Sequence, residues 1–295
     1  MAIETFFPEY ERQHQVKILG DFEIGKAEQF QATYVTSVIV RLEFKFKKDE
    51  EIGSSVLLKV PEMSPRYRVI KDLLFYSKET YVYEKVLLLM YLNGAFERLA
   101  PKFYGSTESD ILILEDLRIS GFQGSPKSAQ VDLIACEAVW SSLAEFHALS
   151  SLHLDQISAR LDSLTIRDFS EDEWNLKVLP AIAAKVKKYV LPSFSATINE
   201  HFDDVMSDWS LVSLVFKHNE NGTNVLLHGD AHPGNILFRK DLQTNVTKVK
   251  FVDFQLSRIG SPILDLMRFT LMSVHPQVYE KNRDSLFNLY VQEYD

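Results

Sequence analysis

Asp230, Asn235 and Asp253 have the residue types and the spacing that phosphoryl transfer from Mg-ATP requires. The first two fall in Leu226-Leu-His-Gly-Asp-Ala-His-Pro-Gly-Asn-Ile-Leu-Phe238, and the third closes Val249-Lys-Phe-Val-Asp253. Both loops sit at the ends of short apolar runs. One carboxylate, Asp230, would orient and deprotonate an acceptor hydroxyl. A carboxamide, Asn235, and a second carboxylate, Asp253, would hold magnesium. Singly, Asp230 reads as a solvated turn aspartate and Asp253 as a helix cap. The combination His228-x-Asp230-x(4)-Asn235, a β-type run over 245–252 and then Asp253 is what gives the signal its specificity. His228 fits better as an organiser of the loop backbone than as a proton carrier, because an aspartate base serves a hydroxyl acceptor well. Pro233-Gly234 are turn formers that set Asn235 in place.

Two further side chains belong with these loops. Lys59 lies inside the apolar run Ser54-Ser-Val-Leu-Leu-Lys-Val60, where an ammonium without a partner is costly. Phosphate-binding lysines of this chemistry pair with a glutamate on the next helix, and Glu79 lies at a suitable distance in sequence. The competing reading makes Lys59 an edge-strand lysine facing solvent. His228, Asp230 and His232 also spell a possible zinc turn. That reading is disfavoured: no second ligand group has zinc-site spacing, and Asn235 and Asp253 are left without a role.

The elements that must position these residues follow from patterning. Residues 34–46 are rich in β-branched and aromatic side chains, Lys47–Gly53 is a charged turn, and Ser54–Val60 is the return strand, stopped by Pro61. Leu73, Leu74, Tyr76, Thr80, Tyr83, Val86 and Leu87 recur at helical spacing, predicting a helix over 69–92 closed by Asn93-Gly94. Ile111–Leu114 reads as a short buried strand. Residues 128–149 predict a helix with Leu133, Ala135, Val139, Trp140, Leu143, Phe146 and His147 on one broad face, the last as a core histidine with a satisfied hydrogen bond. Cys136 on the same helix reads as core and not as a nucleophile. Further helices are expected over 178–206, interrupted by Pro192, and a final helix from about Leu264. Met267, Phe269 and Met272 are read as core, and Asp265 as a helix cap or first-turn carboxylate. The order, β-rich first and helical after, predicts an α+β fold of two lobes with a cleft between them.

Composition narrows the function classes. Lys plus Arg number 32 against 41 acidic residues, a formal charge of −9, which argues against a nucleic-acid partner. A single cysteine excludes an intrachain disulfide and fits a reducing compartment. The N-terminus shows no basic stretch followed by an apolar run, and every apolar run falls short of the roughly 20 residues of a membrane span. The expectation is a cytoplasmic protein without a membrane partner, monomeric by default.

With these residues in hand, a resemblance can be stated. Leu227–Leu237 resembles the catalytic loop of aminoglycoside phosphotransferases and choline kinases. Val252-Asp-Phe-Gln-Leu-Ser-Arg258, then Ser261-Pro-Ile-Leu-Asp-Leu266, is closer to the ecdysteroid kinase-like family, which has Asp-Phe-Gln where protein kinases have Asp-Phe-Gly. Ile113-Leu-Glu-Asp-Leu117 resembles its hinge, Phe75-x-x-x-Glu79-x-x-x-Tyr83 its first helix and Leu143-Ala-x-Phe-His-Ala-x-Ser150 its helical-lobe signature. The resemblance runs from about residue 20 to the end. It implies a two-lobed protein-kinase-like fold, with residues 1–117 as the nucleotide lobe (hinge 113–117) and 118–295 as the catalytic lobe. It implies Lys59 on the ATP phosphates, Glu79 as its partner, Glu115 and Leu117 presenting backbone groups to adenine, and Asp230 as base. Asn235 and Asp253 would bind Mg2+, and Asp265 would brace the catalytic loop. The implied activity is ATP-dependent phosphorylation of a small-molecule hydroxyl, in an ecdysteroid-like steroid or a xenobiotic conjugate.

Two departures qualify that expectation. The phosphate-covering segment, Gly25 to Ser37, is poor in glycine, although Ser37 is placed to cap a phosphate. The chain also stops at Asp295, where the family continues through more helices, so the catalytic lobe is expected to be incomplete. Both motivate an alternative: a catalytically weak or inactive kinase-shaped protein that binds a small apolar ligand.

Overall fold

The computed structural model describes residues 17–26, 37–47, 51–61, 75–92, 99–107, 110–124, 130–164, 184, 187–188, 222–241 and 247–295. Five antiparallel strands open the chain: β1 (Lys17–Lys26), β2 (Ser37–Lys47), β3 (Glu51–Pro61), β4 (Phe103–Ser106) and β5 (Leu112–Glu115). They lie in the order β1-β2-β3-β5-β4. β2 and β3 pair in unbroken register from Ser37↔Pro61 to Lys47↔Glu51. The expected return strand is therefore longer than Ser54–Val60, and Pro61 is its last residue and not its stop. On β3 the side chains of Val56, Lys59 and Pro61 are buried, so Lys59 points inward and not to solvent.

The helix that follows β3 is interrupted. α1 (Phe75–Tyr81) passes through a π turn (Val82–Val86) into α2 (Leu87–Leu92). A π turn is a one-residue excess in an α-helix and recurs at functional sites. Val82, Tyr83, Val86, Leu87 and Met90 are all buried through it. The start predicted at residue 69 and the Asn93-Gly94 stop fall outside the described residues.

Helices dominate the rest, around two small sheets. β6 (Gln123–Gly124) precedes α3 (Leu133–Ser151) and α4 (Leu154–Leu164). α3 starts where the Asp132 side chain accepts from the Ala135 N–H at 2.8 Å, a helix cap. Then come β7 (Val225–Leu227), a 3-10 turn (Pro233–Asn235), β8 (Ile236–Lys240), β9 (Thr247–Phe251) and β10 (Arg258–Gly260). β7 pairs with β10, and β8 sits between β6 and β9. Of the helices expected over 178–206, most residues lie outside those described. The predicted final helix is two: α5 (Ile263–Ser273) and α6 (Pro276–Tyr294). Pro276 has no N–H to continue α5 and drives His275 into extended backbone. The His275 ring then caps α6 by accepting from the Gln277 N–H.

One apolar core joins these parts. Trp140, Leu143, Ala144 and Phe146 of α3 are fully buried with Phe251, Phe254, Phe269 and Leu286. Trp140 meets Phe287 of α6 edge-on at 5.1 Å. Cys136 and Phe269 are buried as expected, whereas Met272 is 60% exposed on the outer face of α5. The architecture is thus α+β, sheet first and helices after.

Lys78 is a buried cation in this fold, 3% exposed on α1. Burial, with Arg258 nearby, pushes its ammonium down to about 8. A lowered lysine destabilises the fold fully below pH 8, and this is relieved as pH rises towards 10.5, where the unfolded chain also loses the proton. Lys78→Met is expected to raise the melting temperature at pH 7, by at most roughly 3 kcal/mol of stability, and the gain should fade by pH 10.5. Calorimetric melts across that pH range check the sign.

Candidate active site

The turn after β7 is held from below by a single carboxylate. Asp265, in the first turn of α5 and 1% exposed, accepts from the His228 N–H (Oδ2, 2.6 Å) and the Gly229 N–H (Oδ1, 3.0 Å). Its Oδ2 also lies 3.2 Å from His147 Nε2, while His147 Nδ1 is 2.8 Å from the Tyr290 hydroxyl. His147 is therefore the satisfied core histidine expected, and it couples α3, α5 and α6 to the loop. Burial alone would raise the Asp265 carboxyl, but His147, His228 and the backbone N–H groups outweigh it and hold it below its ordinary value. Asp265 thus lies one hydrogen bond beneath the turn that carries Asp230.

Gly229 has φ +82°, and a Cβ there would lie 2.1 Å from the Leu256 carbonyl oxygen. Only glycine permits both the left-handed backbone and this approach to the second loop. Its flanking residues gain their orientation from that turn. The Asp230 N–H donates to His228 Nδ1 (3.2 Å), so the proton sits on Nε2, which donates to the Val252 carbonyl at 3.0 Å. His228 is fully buried, and burial lowers its pKa against the pull of Asp265 and its neighbours. With both ring nitrogens committed to backbone, His228 ties the two loops together and is free neither for zinc nor for proton shuttling.

Asn235 is placed by the Pro233–Asn235 turn, capped where His232 Nδ1 accepts from the Gly234 N–H. Its Nδ2 donates to the Asp230 carbonyl (3.1 Å) and to Asp230 Oδ2 (3.3 Å). The Asn235 backbone carbonyl accepts from the Val252 N–H at 3.0 Å. The next residue along, Asp253, has φ +70°, an uncommon backbone for a non-glycine residue that marks functional sites. Phe254 beside it is buried against Tyr83, Phe146 and His228, which fixes this loop to the π turn, α3 and the first loop. Gln255 is also buried.

Lys59 joins the two halves of the site. Its ammonium lies 2.7 Å from Glu79 Oε2 and 2.8 Å from Asp253 Oδ1. Burial would lower its pKa, but the two carboxylates more than reverse that, and the lysine stays charged. Glu79 is fully buried, and burial raises its carboxyl. Asp253 competes for the same ammonium and adds to that rise.

The remaining sequence-predicted positions are more peripheral. Glu115 ends β5 opposite Val56, and its N–H donates to the Lys102 carbonyl. The Leu117 carbonyl accepts from the Phe122 N–H. Ser37 is buried at the start of β2, opposite Pro61, two residues beyond the pairing of Ile39 with Lys59. The glycine-poor segment before it lies outside the described residues from 27 to 36.

Two residues went unread in the sequence. Asp116, 2% exposed, accepts from Arg41 Nε and Ser55 Oγ, each at 2.7 Å, and from the Arg118 N–H, so it locks the turn after β5 to β2 and β3. Arg268 of α5 donates through Nη2 to Asp230 Oδ1 and forms an ion pair with it. Asp265-x-x-Arg268 is an i, i+3 pair on one helix, the spacing that could have revealed it. His232 Nε2 also lies 3.5 Å from Asp230 Oδ2. Burial would raise the Asp230 carboxyl, but His232 and Arg268 outweigh it and hold it below its usual value.

Asp265→Ala strips acceptors from two backbone N–H groups and an imidazole at once. A loss of about 3–5 kcal/mol is expected, read as a large fall in melting temperature at pH 7. Because the folded pKa of Asp265 is depressed, its contribution is complete above the ordinary carboxylate range and is lost as pH falls below about 4. The gap between wild type and variant should narrow there, which melts at pH 3–7 by circular dichroism will check.

Comparison with known proteins gives distant structural likenesses. A macrolide 2'-phosphotransferase from Brachybacterium faecium is 13% identical, with 99% of this chain and 81% of that one covered at a TM-score of 0.45. The GDP complex of aminoglycoside 2'-phosphotransferase-IIIa is 13% identical (98% and 87% covered, TM-score 0.42). A microcompartment-associated aminopropanol kinase is 10% identical (98% and 80% covered, TM-score 0.39). No curated protein matches the sequence. The model of the ecdysteroid kinase-like family matches residues 32–294, nearly the whole length, and the chain belongs to that family.

Proposed function

We propose that this chain transfers the terminal phosphoryl group of ATP to a hydroxyl of a small molecule, in a steroid of the ecdysteroid kind or a xenobiotic conjugate. The observation that carries this reading is Lys59 bridging Glu79 and Asp253 while Asn235, from the other loop, bonds Asp230. Five residues from distant parts of the sequence converge on the arrangement that phosphoryl transfer needs.

The residues suit magnesium. Asn235 spends its Nδ2 on Asp230, which leaves its amide oxygen for a cation. Asp253, with 27% of its side chain exposed, commits Oδ1 to Lys59. Oxygen donors, one amide and one carboxylate, match a hard cation that completes its shell with phosphate and water. Among the described residues no group of three or more His, Cys, Asp or Glu could hold a metal ion, so a zinc hydrolase lacks its ligand set. Magnesium, when bound, would neutralise charge on the transferring oxygens.

In this reading Lys59 lies along the α- and β-phosphates, and Ser37 caps one of them. Glu115 and Leu117 offer backbone groups to adenine, and Asp230 aligns the acceptor hydroxyl and takes its proton. Residues 1–117 form the nucleotide lobe and 118–295 the catalytic lobe. The chain acts as a cytoplasmic monomer, with no nucleic-acid partner. None of the described helices is long and apolar enough to cross a membrane.

Asp230→Asn should lower magnesium-dependent ADP formation at least about 100-fold in a screen of hydroxylated steroids, glucosides, choline and aminoglycosides. Unchanged turnover would remove Asp230 as the base. The depressed Asp230 carboxyl makes a second prediction. A base that ionises below the ordinary carboxylate range is fully deprotonated above about pH 5, so kcat/KM at saturating magnesium should stay flat from pH 5 to 7. An acid limb centred near the histidine range would transfer the role to an imidazole.

A further inference from the structure

We propose that Arg268 is a catalytic arginine supplied within the same chain, which neutralises the phosphoryl group as it passes to the acceptor. This rests on the phosphotransferase reading above and adds a residue to it.

The charge balance of the site calls for such a group. The Lys59 ammonium is shared by two carboxylates, Glu79 at 2.7 Å and Asp253 at 2.8 Å, so it brings no net positive charge to the point of transfer. That point lies at the other end of the row, beside Asp230. An acceptor oxygen must come within about 3 Å of the base, and the phosphorus within about 3.5 Å of that oxygen. Arg268 is already there, bound to Asp230 Oδ1.

Its donors are available. A guanidinium carries five N–H donors, and Asp230 is the one partner of Arg268 among the described residues. The side chain is 45% exposed, against 14% for Asp230, so much of the guanidinium stays accessible beside the carboxylate. A structural role explains little, because a half-exposed ion pair contributes little to stability. α5 is already fixed by Asp265 beneath the catalytic turn and by the fully buried Phe269. The same helix therefore holds the loop backbone with one residue and, one turn later, lays a cation on its carboxylate.

The transfer step gives that contact a purpose. The acceptor oxygen bonds to the γ-phosphorus. The bond from that phosphorus to the bridging oxygen breaks, and its electron pair leaves with ADP. The hydroxyl proton moves to Asp230. As Asp230 becomes neutral, Arg268 loses its ionic partner, and its charge turns to the phosphoryl oxygens. An arginine placed this way favours the transition state over the bound nucleotide.

Fluoroaluminate, which mimics the phosphoryl group in flight, tests this without an identified acceptor. Calorimetry on the full chain would measure Mg-ADP affinity with and without it. Wild type is expected to bind Mg-ADP about tenfold or more tightly with fluoroaluminate. Arg268→Ala should lose that gain while its affinity for Mg-ADP alone stays within about twofold, and Arg268→Lys should keep part of it, having charge without the fork. An undiminished gain in Arg268→Ala overturns the inference. So does an equal loss of Mg-ADP affinity itself, or no gain in a wild type that binds Mg-ADP. A wild type that binds no Mg-ADP at all refutes the phosphotransferase reading first, and the role of Arg268 with it.

Discussion

The site depends on one buried carboxylate. Asp265 accepts from two consecutive backbone N–H groups of the turn that carries Asp230, and a His147–Tyr290 pair holds it from behind. Everything forward of it is positioned relative to that turn. His228 reaches across to the Val252 carbonyl, Asn235 returns to Asp230, and the Val252 N–H closes the circuit on the Asn235 carbonyl. The arrangement puts polar groups in a largely apolar core and leaves few of them unsatisfied. Buried networks of this kind are rigid because breaking one bond exposes several groups at once. The reactive side chains can then be short and few, since their backbone has little freedom left.

The second constraint is the row of charges that runs from the sheet to α5. Glu79, Lys59 and Asp253 form one cluster, and Asp230 and Arg268 form another, with Asn235 between them. The first cluster has an excess of one negative charge, and this is what favours a divalent cation beside Asp253. Burial raises the Glu79 carboxyl first, and the nearby Asp253 carboxylate adds to that rise. A cation on Asp253 would leave Lys59 to Glu79 and to phosphate. Under the proposed function, nucleotide and metal would stabilise the ion pair that the helix and β3 contribute, which would link ligand binding to the seating of that helix.

Much of the site was legible in the sequence because it is written locally. The spacing from His228 to Asn235 fits within a single turn, and an inward lysine in an apolar strand demands a partner. The role of Asp265 was less visible from its residue type alone, since a carboxylate early in a helix reads first as a cap. Arg268 and Asp116 escaped because their partners, Asp230 and Arg41, lie 38 and 75 residues away, and the local sign of Arg268 is only its i, i+3 spacing from Asp265. Patterning also merged α5 with α6. Apolar spacing continues across Val274, and only Pro276, with the extended residue it forces before it, breaks the run. Met272 was placed in the core for the same reason. It keeps the apolar character of the helix but falls on its outer face.

The π turn at Val82–Val86 carries an implication for how this helix tolerates change. One extra residue in a helix advances everything after it by about 100° around the axis. The wide turn takes up that advance, so Glu79 ahead of it faces Lys59 while Met90 behind it stays in the core. A chain that lost one residue within Val82–Val86 would close the wide turn into a regular helix and leave both halves in phase. The turn is thus a place where this helix can change length by one residue and keep both its ion pair and its packing.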